Sequence, residues 1–226
     1  MVYPSLSSTH AASPPRQHES VPVLLIPGLD NSPPGHWQSL WERDDGACRR
    51  VELGLWDKPH RNTWINQLNL AIHRAGRPVV LVAHSLGCLV AAWWAHLERP
   101  SWGDPVRGAL LVAPPEVDFL PLDERLTTFA PTPSEPLPFP SIVVASRNDP
   151  WMGFLTARHF ARGWGGEFVD AGEAGHLNTE SDLGHWPDGR RLLARLLERE
   201  ADAGGNAEAR RTEPGRGLVQ GAPALG

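Results

Sequence analysis

The sequence predicts an α/β domain with helices on both faces of a mainly parallel sheet of about six strands. Two observations carry this: short apolar runs alternate with longer amphipathic stretches, the rhythm of βαβ units, and V-V-L-V-A-H-S-L-G-C-L-V-A-A-W-W-A (79–95) reads as strand, tight turn and helix without interruption. The length of 226 residues suits one such domain with a sizeable core, since a domain of about 150 residues already buries roughly 68–70% of its unfolded surface.

Taken in order, the apolar runs Val23–Ile26, Cys48–Leu53, Val79–Ala83, Gly108–Val112, Ile142–Ala145 and Glu167–Val169 are read as strands. Between and after them, His36–Asp44, Arg61–Arg74, Leu86–Glu98, Gly153–Arg162 and Pro187–Glu200 are read as helices, the last with Leu192, Leu193, Leu196 and Leu197 on one face. The stretch from Pro114 to Pro140 is irregular and proline-rich, with a short helical turn around Leu122–Phe129. It reads as a loop over a site, with no separate cap domain. Residues 1–20 and 201–226 lack hydrophobic periodicity and are expected to be disordered tails around a domain spanning 21–200.

The net charge of -5 supplies no basic field for nucleic acid or for anionic lipid. No apolar run reaches the 18 or so residues of a membrane span, and the N-terminus lacks the basic and apolar regions of a secretory signal. Two cysteines, Cys48 and Cys88, are expected as free thiols in a cytoplasmic, reducing compartment. Metal-ligand spacings and the phosphate-binding glycine patterns are missing from the motifs, so neither metal nor cofactor is expected. The expected assembly is a monomer or weak homodimer.

The chemistry centres on the turn His84-Ser85-Leu86-Gly87. A sharp strand-to-helix turn lifts a serine hydroxyl above the sheet edge and leaves the next backbone N–H, on Leu86, at a helix N-terminus where a developing oxyanion is stabilised. Ala83 stands where such nucleophile elbows usually carry glycine. A serine needs a base and a group that orients the base. The run S-I-V-V-A-S-R-N-D-P ends in Asp149, at the carboxyl end of a strand. F-V-D-A-G-E-A-G-H places His176 in a Gly-flanked loop after the last strand. The order Ser, Asp, His is that of the α/β-hydrolase arrangement, so Ser85, Asp149 and His176 are the candidate catalytic residues. The loop L-L-I-P-G-L-D-N offers the second oxyanion donor, the N–H of Leu29, with Gly28 allowing close backbone approach. His84 is read as pointing away from the nucleophile, and His36, His60 and His185 as lying elsewhere.

Four blocks carry a family resemblance: I-P-G-L-D-N-S-P-P-G-H-W-Q-S-L-W, W-D-K-P-H-R-N-T-W, V-A-H-S-L-G, and the pair S-R-N-D-P-W with G-E-A-G-H-L-N-T-E-S-D-L-G-H-W-P-D-G. Over residues 22–198 the chain resembles the retinoblastoma-binding-protein type of small serine hydrolase, especially its bacterial members. The resemblance implies an α/β-hydrolase sheet without a cap, a triad of Ser85, Asp149 and His176, and carboxylesterase-like activity. It does not extend to the retinoblastoma partner, because Leu86-Gly87-Cys88-Leu89-Val90 lacks the Glu of an L-x-C-x-E peptide. Among the tryptophans, Trp56 and Trp151 are expected nearest the cleft as substrate-binding residues. The function expected is hydrolysis of a small-molecule carboxylic ester through an acyl-enzyme, the alternatives being an amidase or thioesterase and a weakly active or inactive hydrolase-fold binding protein.

Overall fold

The computed structural model describes residues 20–119 and 121–198; the two expected tails, Ser20 apart, lie outside the described residues. Six strands form one parallel sheet: β1 (Val23–Ile26), β2 (Cys48–Arg50), β3 (Val79–His84), β4 (Val106–Val112), β5 (Ser141–Ala145) and β6 (Glu167–Asp170), in the order β2-β1-β3-β4-β5-β6. The helices are α1 (Trp37–Asp44), α2 (Arg61–Arg74), α3 (Leu86–Glu98), α4 (Phe154–Gly163) and α5 (residues 187–198).

The middle strands β1, β3 and β5 are buried at every residue, which explains their continuous Val, Leu, Ile and Ala character: a parallel sheet covered on both faces has no solvent side to pattern. One face packs on α2 and α3 through Trp64, Leu68, Leu89 and Trp94. The other packs on α1 and α5 through Trp37, Trp41, Leu193 and Leu196. The result is three layers, helix on sheet on helix. The strand order reverses between β1 and β3, and in open parallel sheets the crevice beyond the carboxyl ends at such a reversal is where ligands bind.

Three elements depart from expectation by more than a residue, among them β4, which begins at Val106 rather than Gly108. β2 stops at Arg50 rather than Leu53, because its pairing with β1 covers only Val23–Leu25 and the last ladder bond runs from Val51 N to Leu25 O. Beyond it β1 ends and Pro27 has no N–H to offer. The helical turn expected over Leu122–Phe129 is a 3-10 turn over Glu124–Phe129, capped by Asp123 Oδ1, which accepts from Arg125 N at 2.9 Å. The other described residues of the β4–β5 connection are irregular, and among the described residues no separate cap is built on it. Among the described residues no helix is long and apolar enough to cross a membrane.

Candidate active site

Ser85 joins β3 to α3 with φ 52° and ψ -128°, a strained conformation for a residue with a Cβ that costs on the order of 1–3 kcal/mol and persists only where surroundings impose it. They do so here. Ser85 N donates to Val112 O of β4 at 2.9 Å. Behind it, a Cβ on Gly87 would sit 2.3 Å from Ile26 O, so only glycine lets α3 start this close to the end of β1. Ala83, in the place usually held by glycine, is fully buried in β3 and fits.

The register then decides what stands beside the serine. Ile26 of β1 pairs with Ala83 of β3, so two residues later Gly28 and Ser85 lie side by side, and a Cβ on Gly28 would meet Ser85 Cβ at 2.7 Å. Only glycine at position 28 leaves room for Ser85 beside it. Asp30 N donates to Trp56 O at 3.0 Å and Asn31 N to Gly28 O at 3.2 Å, both residues having positive φ. Among the described residues no acceptor takes the Leu29 N–H of the same turn. Leu29 lines the cleft, and Leu86 N belongs to the first turn of α3, which has no intrahelical acceptor.

His176 bridges the other two predicted residues. Its Nδ1 lies 2.9 Å from both Oδ1 and Oδ2 of Asp149, and its Nε2 lies 2.8 Å from Ser85 Oγ. A carboxylate only accepts, so Nδ1 carries the proton and Nε2 is left to accept from the serine hydroxyl. Asp149 is almost fully enclosed, its side chain 2% exposed, and Oδ1 also accepts from Trp151 N at 2.9 Å.

The loop bearing His176 is held by residues that motif reading passed over. Ala174 N donates to Ser146 Oγ at 2.9 Å and Gly175 N to Asn148 Oδ1 at 2.8 Å, so the segment after β5 clasps the segment after β6. From the opposite face, Trp37 Nε1 donates to Leu177 O at 2.9 Å and Trp41 Nε1 to His185 O at 2.8 Å. Gln38, fully buried, donates from Nε2 to Ile26 O and Val82 O and accepts on Oε1 from Ser32 Oγ. The H-W-Q-S-L-W block thus ties the loop after β1, the sheet and the His loop together, and its signal was the run of hydrogen-bonding side chains His36, Trp37, Gln38, Ser39 and Trp41.

Three further placements, of His84, His36 and Trp56, correct the sequence reading. His84 does not point away: its ring lies 5.1 Å from that of His176 and 4.7 Å from that of His36, and both His36 and His84 line the cleft. Burial holds both rings neutral, pushing His36 down to about 4, with Arg50 and His176 adding to the effect, and His84 well below the ordinary value, with His36 and His176 adding. Trp56 is not among the cleft-lining residues; it packs on the core against Trp64, rings 5.6 Å apart, and its carbonyl accepts from Asp30 N. Trp151 does line the cleft, tilted 31° against His176 at 5.4 Å.

The cleft itself has a volume of about 480 Å³, with Ser85 and His176 at its floor. Its far rim comes from the β4–β5 connection, where Arg125 bonds Asp123 and reaches Asp30 Oδ1 at 3.1 Å across the opening.

Residues 23–195 match the family model described as serine hydrolase. A putative YdeN-like hydrolase from Pectobacterium atrosepticum is 32% identical over 80% of this chain and 93% of its own, with a TM-score of 0.72. The ydeN gene product of Bacillus subtilis, 22% identical over 79% of this chain and all of its own, shares the fold at a TM-score of 0.64. The same holds for a thermophilic esterase from Thermogutta terrifontis, 17% identical over 80% of this chain and 90% of its own, at 0.57. No curated protein matches the chain. With a strand-turn-helix serine at the sheet's point of reversal and a family match over most of its length, the chain belongs to the serine hydrolase family and has the α/β-hydrolase fold.

Proposed function

We propose that the protein hydrolyses small carboxylic esters through an acyl-Ser85 intermediate. The observation that carries this reading is the unbroken hydrogen-bonded chain from Ser85 Oγ through His176 to Asp149 at the floor of a cleft. Ser85 Oγ attacks the ester carbonyl as His176 Nε2 takes its proton, and the oxyanion is received by the N–H groups of Leu29 and Leu86. The imidazolium then protonates the departing alkoxide. Water, deprotonated by the same nitrogen, attacks the acyl-enzyme and releases the acid, returning the proton to Ser85. Asp149 keeps the proton of the neutral ring on Nδ1 and stabilises the imidazolium.

A cleft of this size, walled by Leu29, Leu126 and Trp151, fits a small-molecule substrate. The net charge of -5 speaks against nucleic acid or anionic membrane as partners. The buried free thiols Cys48 and Cys88 fit a cytoplasmic protein, and we assign the activity to one domain over residues 21–200, acting as a monomer or weak homodimer.

A fluorophosphonate probe should label wild type and not Ser85→Ala. Hydrolysis of short p-nitrophenyl esters by Ser85→Ala should fall by at least about 10³-fold. Undiminished labelling or turnover in that variant overturns the proposal, and faster cleavage of matched anilides or acyl-thioesters would reassign the substrate class.

A further inference from the structure

His84 is the last residue of β3, beside the nucleophile, and the acyl-transfer chemistry above assigns it nothing. Its Nε2 lies 2.9 Å from the main-chain oxygen of His176, across 92 residues of sequence. A carbonyl oxygen only accepts, so the proton sits on Nε2 and the ring is the neutral Nε2–H form. The ring is held in place. His36 packs on it at 4.7 Å, and Trp37 meets it edge-on at 6.0 Å and 90°. His36 is itself fixed through Nδ1, which accepts from Gln38 N at 3.2 Å.

We propose that His84 is a positioning residue: its Nε2–H cross-links the main chain of the general base to the end of the strand that leads into the nucleophile, and so sets the reach of His176 Nε2 to Ser85 Oγ. This rests on the triad reading given above. The anchors at Ala174, Gly175 and Leu177 fix the residues flanking His176 to the β5 loop and to α1. His84 fixes His176 itself, and it does so from the residue adjoining Ser85. A drift of the β6 loop away from β3 that lengthens the 2.8 Å contact between base and nucleophile also stretches this bond.

The test compares His84→Gln, His84→Asn and His84→Leu. The Gln amide nitrogen reaches the position of imidazole Nε2, the Asn amide has the same chemistry but stops a bond short, and Leu has no donor. Rates are expressed per mole of Ser85 titrated to completion with fluorophosphonate, which removes any misfolded fraction from the comparison. The Asn and Leu variants should lose roughly 10- to 100-fold in kcat with KM unchanged, the scale expected when a reacting group is displaced by a fraction of an ångström to one. His84→Gln should recover most of the loss. Nitrogen-15 NMR of the wild type should find the His84 proton on Nε2 between about pH 5 and 8, where an unperturbed histidine would titrate. A proton on Nδ1, or Asn and Leu variants with wild-type kcat, overturns the proposal. If those variants turn over normally while Ser85→Ala is inert, only the positioning role falls; if Ser85→Ala remains active, the triad reading falls instead.

Discussion

Replacing Asp149 by Asn would keep the side chain's outline and reverse what it offers His176. Trp151 N still needs an acceptor, so the Asn oxygen stays with it and the amide N–H faces Nδ1. Nδ1 then gives up its proton, Nε2 gains one, and the ring can no longer accept from Ser85. We expect kcat to fall by about 10⁴-fold, as for a triad held in the wrong tautomer, with thermal stability nearly unchanged. A loss of only a few-fold would show that Asp149 does not set the tautomer. Gly87→Ala acts through packing alone: a Cβ 2.3 Å from Ile26 O must push α3 off β1. The expected cost is about 3 kcal/mol or more, the upper end for overpacking, read as a lower urea midpoint. At this scale Ser85, Asp149 and His176 were legible because each terminates or follows a strand in a fixed chain order. Trp56 was not: an aromatic side chain near a loop fills core or cleft equally well until its neighbours are known.

The elements are held together at the site by side chains that cap loops. Asn148 Oδ1 accepts from Gly175 N at 2.8 Å and from Ser146 Oγ at 2.8 Å, so one side chain joins the β5 loop to the His loop. Asn148→Ala should lower kcat by roughly 10-fold or more through misplacement of His176, while circular dichroism shows the same helix content. Unchanged kcat would mean that the tryptophan donors alone suffice. Gln38→Leu removes the donors to Ile26 O and Val82 O. Each buried acceptor left alone costs about 1–3 kcal/mol, so chemical denaturation should register a loss on the order of 2 kcal/mol or more. The strands and helices were readable from apolar runs and from Leu192, Leu193, Leu196 and Leu197 on one face of α5. β2 came out short because a strand's length is set by its neighbour's hydrogen bonds, and its own composition carries no record of them.

For the whole molecule, the two buried histidines make stability depend on pH. His36 is lowered from 6.5 to about 4 in the folded state, and His84 is lowered too. The unfolded chain therefore binds protons that the folded chain refuses as the pH drops below 6.5. Stability rises with pH wherever the unfolded state holds more protons, so this stabilisation is complete above about 6.5 and is lost progressively toward pH 4. One such group contributes a slope of at most about 1.4 kcal/mol per pH unit. Urea midpoints should fall steadily from neutral pH to pH 5. His36→Asn, which keeps a side-chain acceptor for the helix cap, should fall less steeply; equal slopes would mean that His36 is not buried neutral.

The amino-acid sequence alone is enough to read the architecture and to single out the three side chains that the fold brings together. Periodicity, turn residues and chain order are local properties, and they are enough to say that a serine, an aspartate and a histidine each follow a strand of one parallel sheet. Only the tertiary structure decided how those groups are held. The 2.8 Å contact between His176 and Ser85 spans 91 residues, and its supports come from His84, Asn148, Trp37 and Gln38, residues that α/β packing brings to one end of the sheet. Hydrogen bonds of this kind depend on distances set by strand register and helix packing, and those are fixed when the whole core closes.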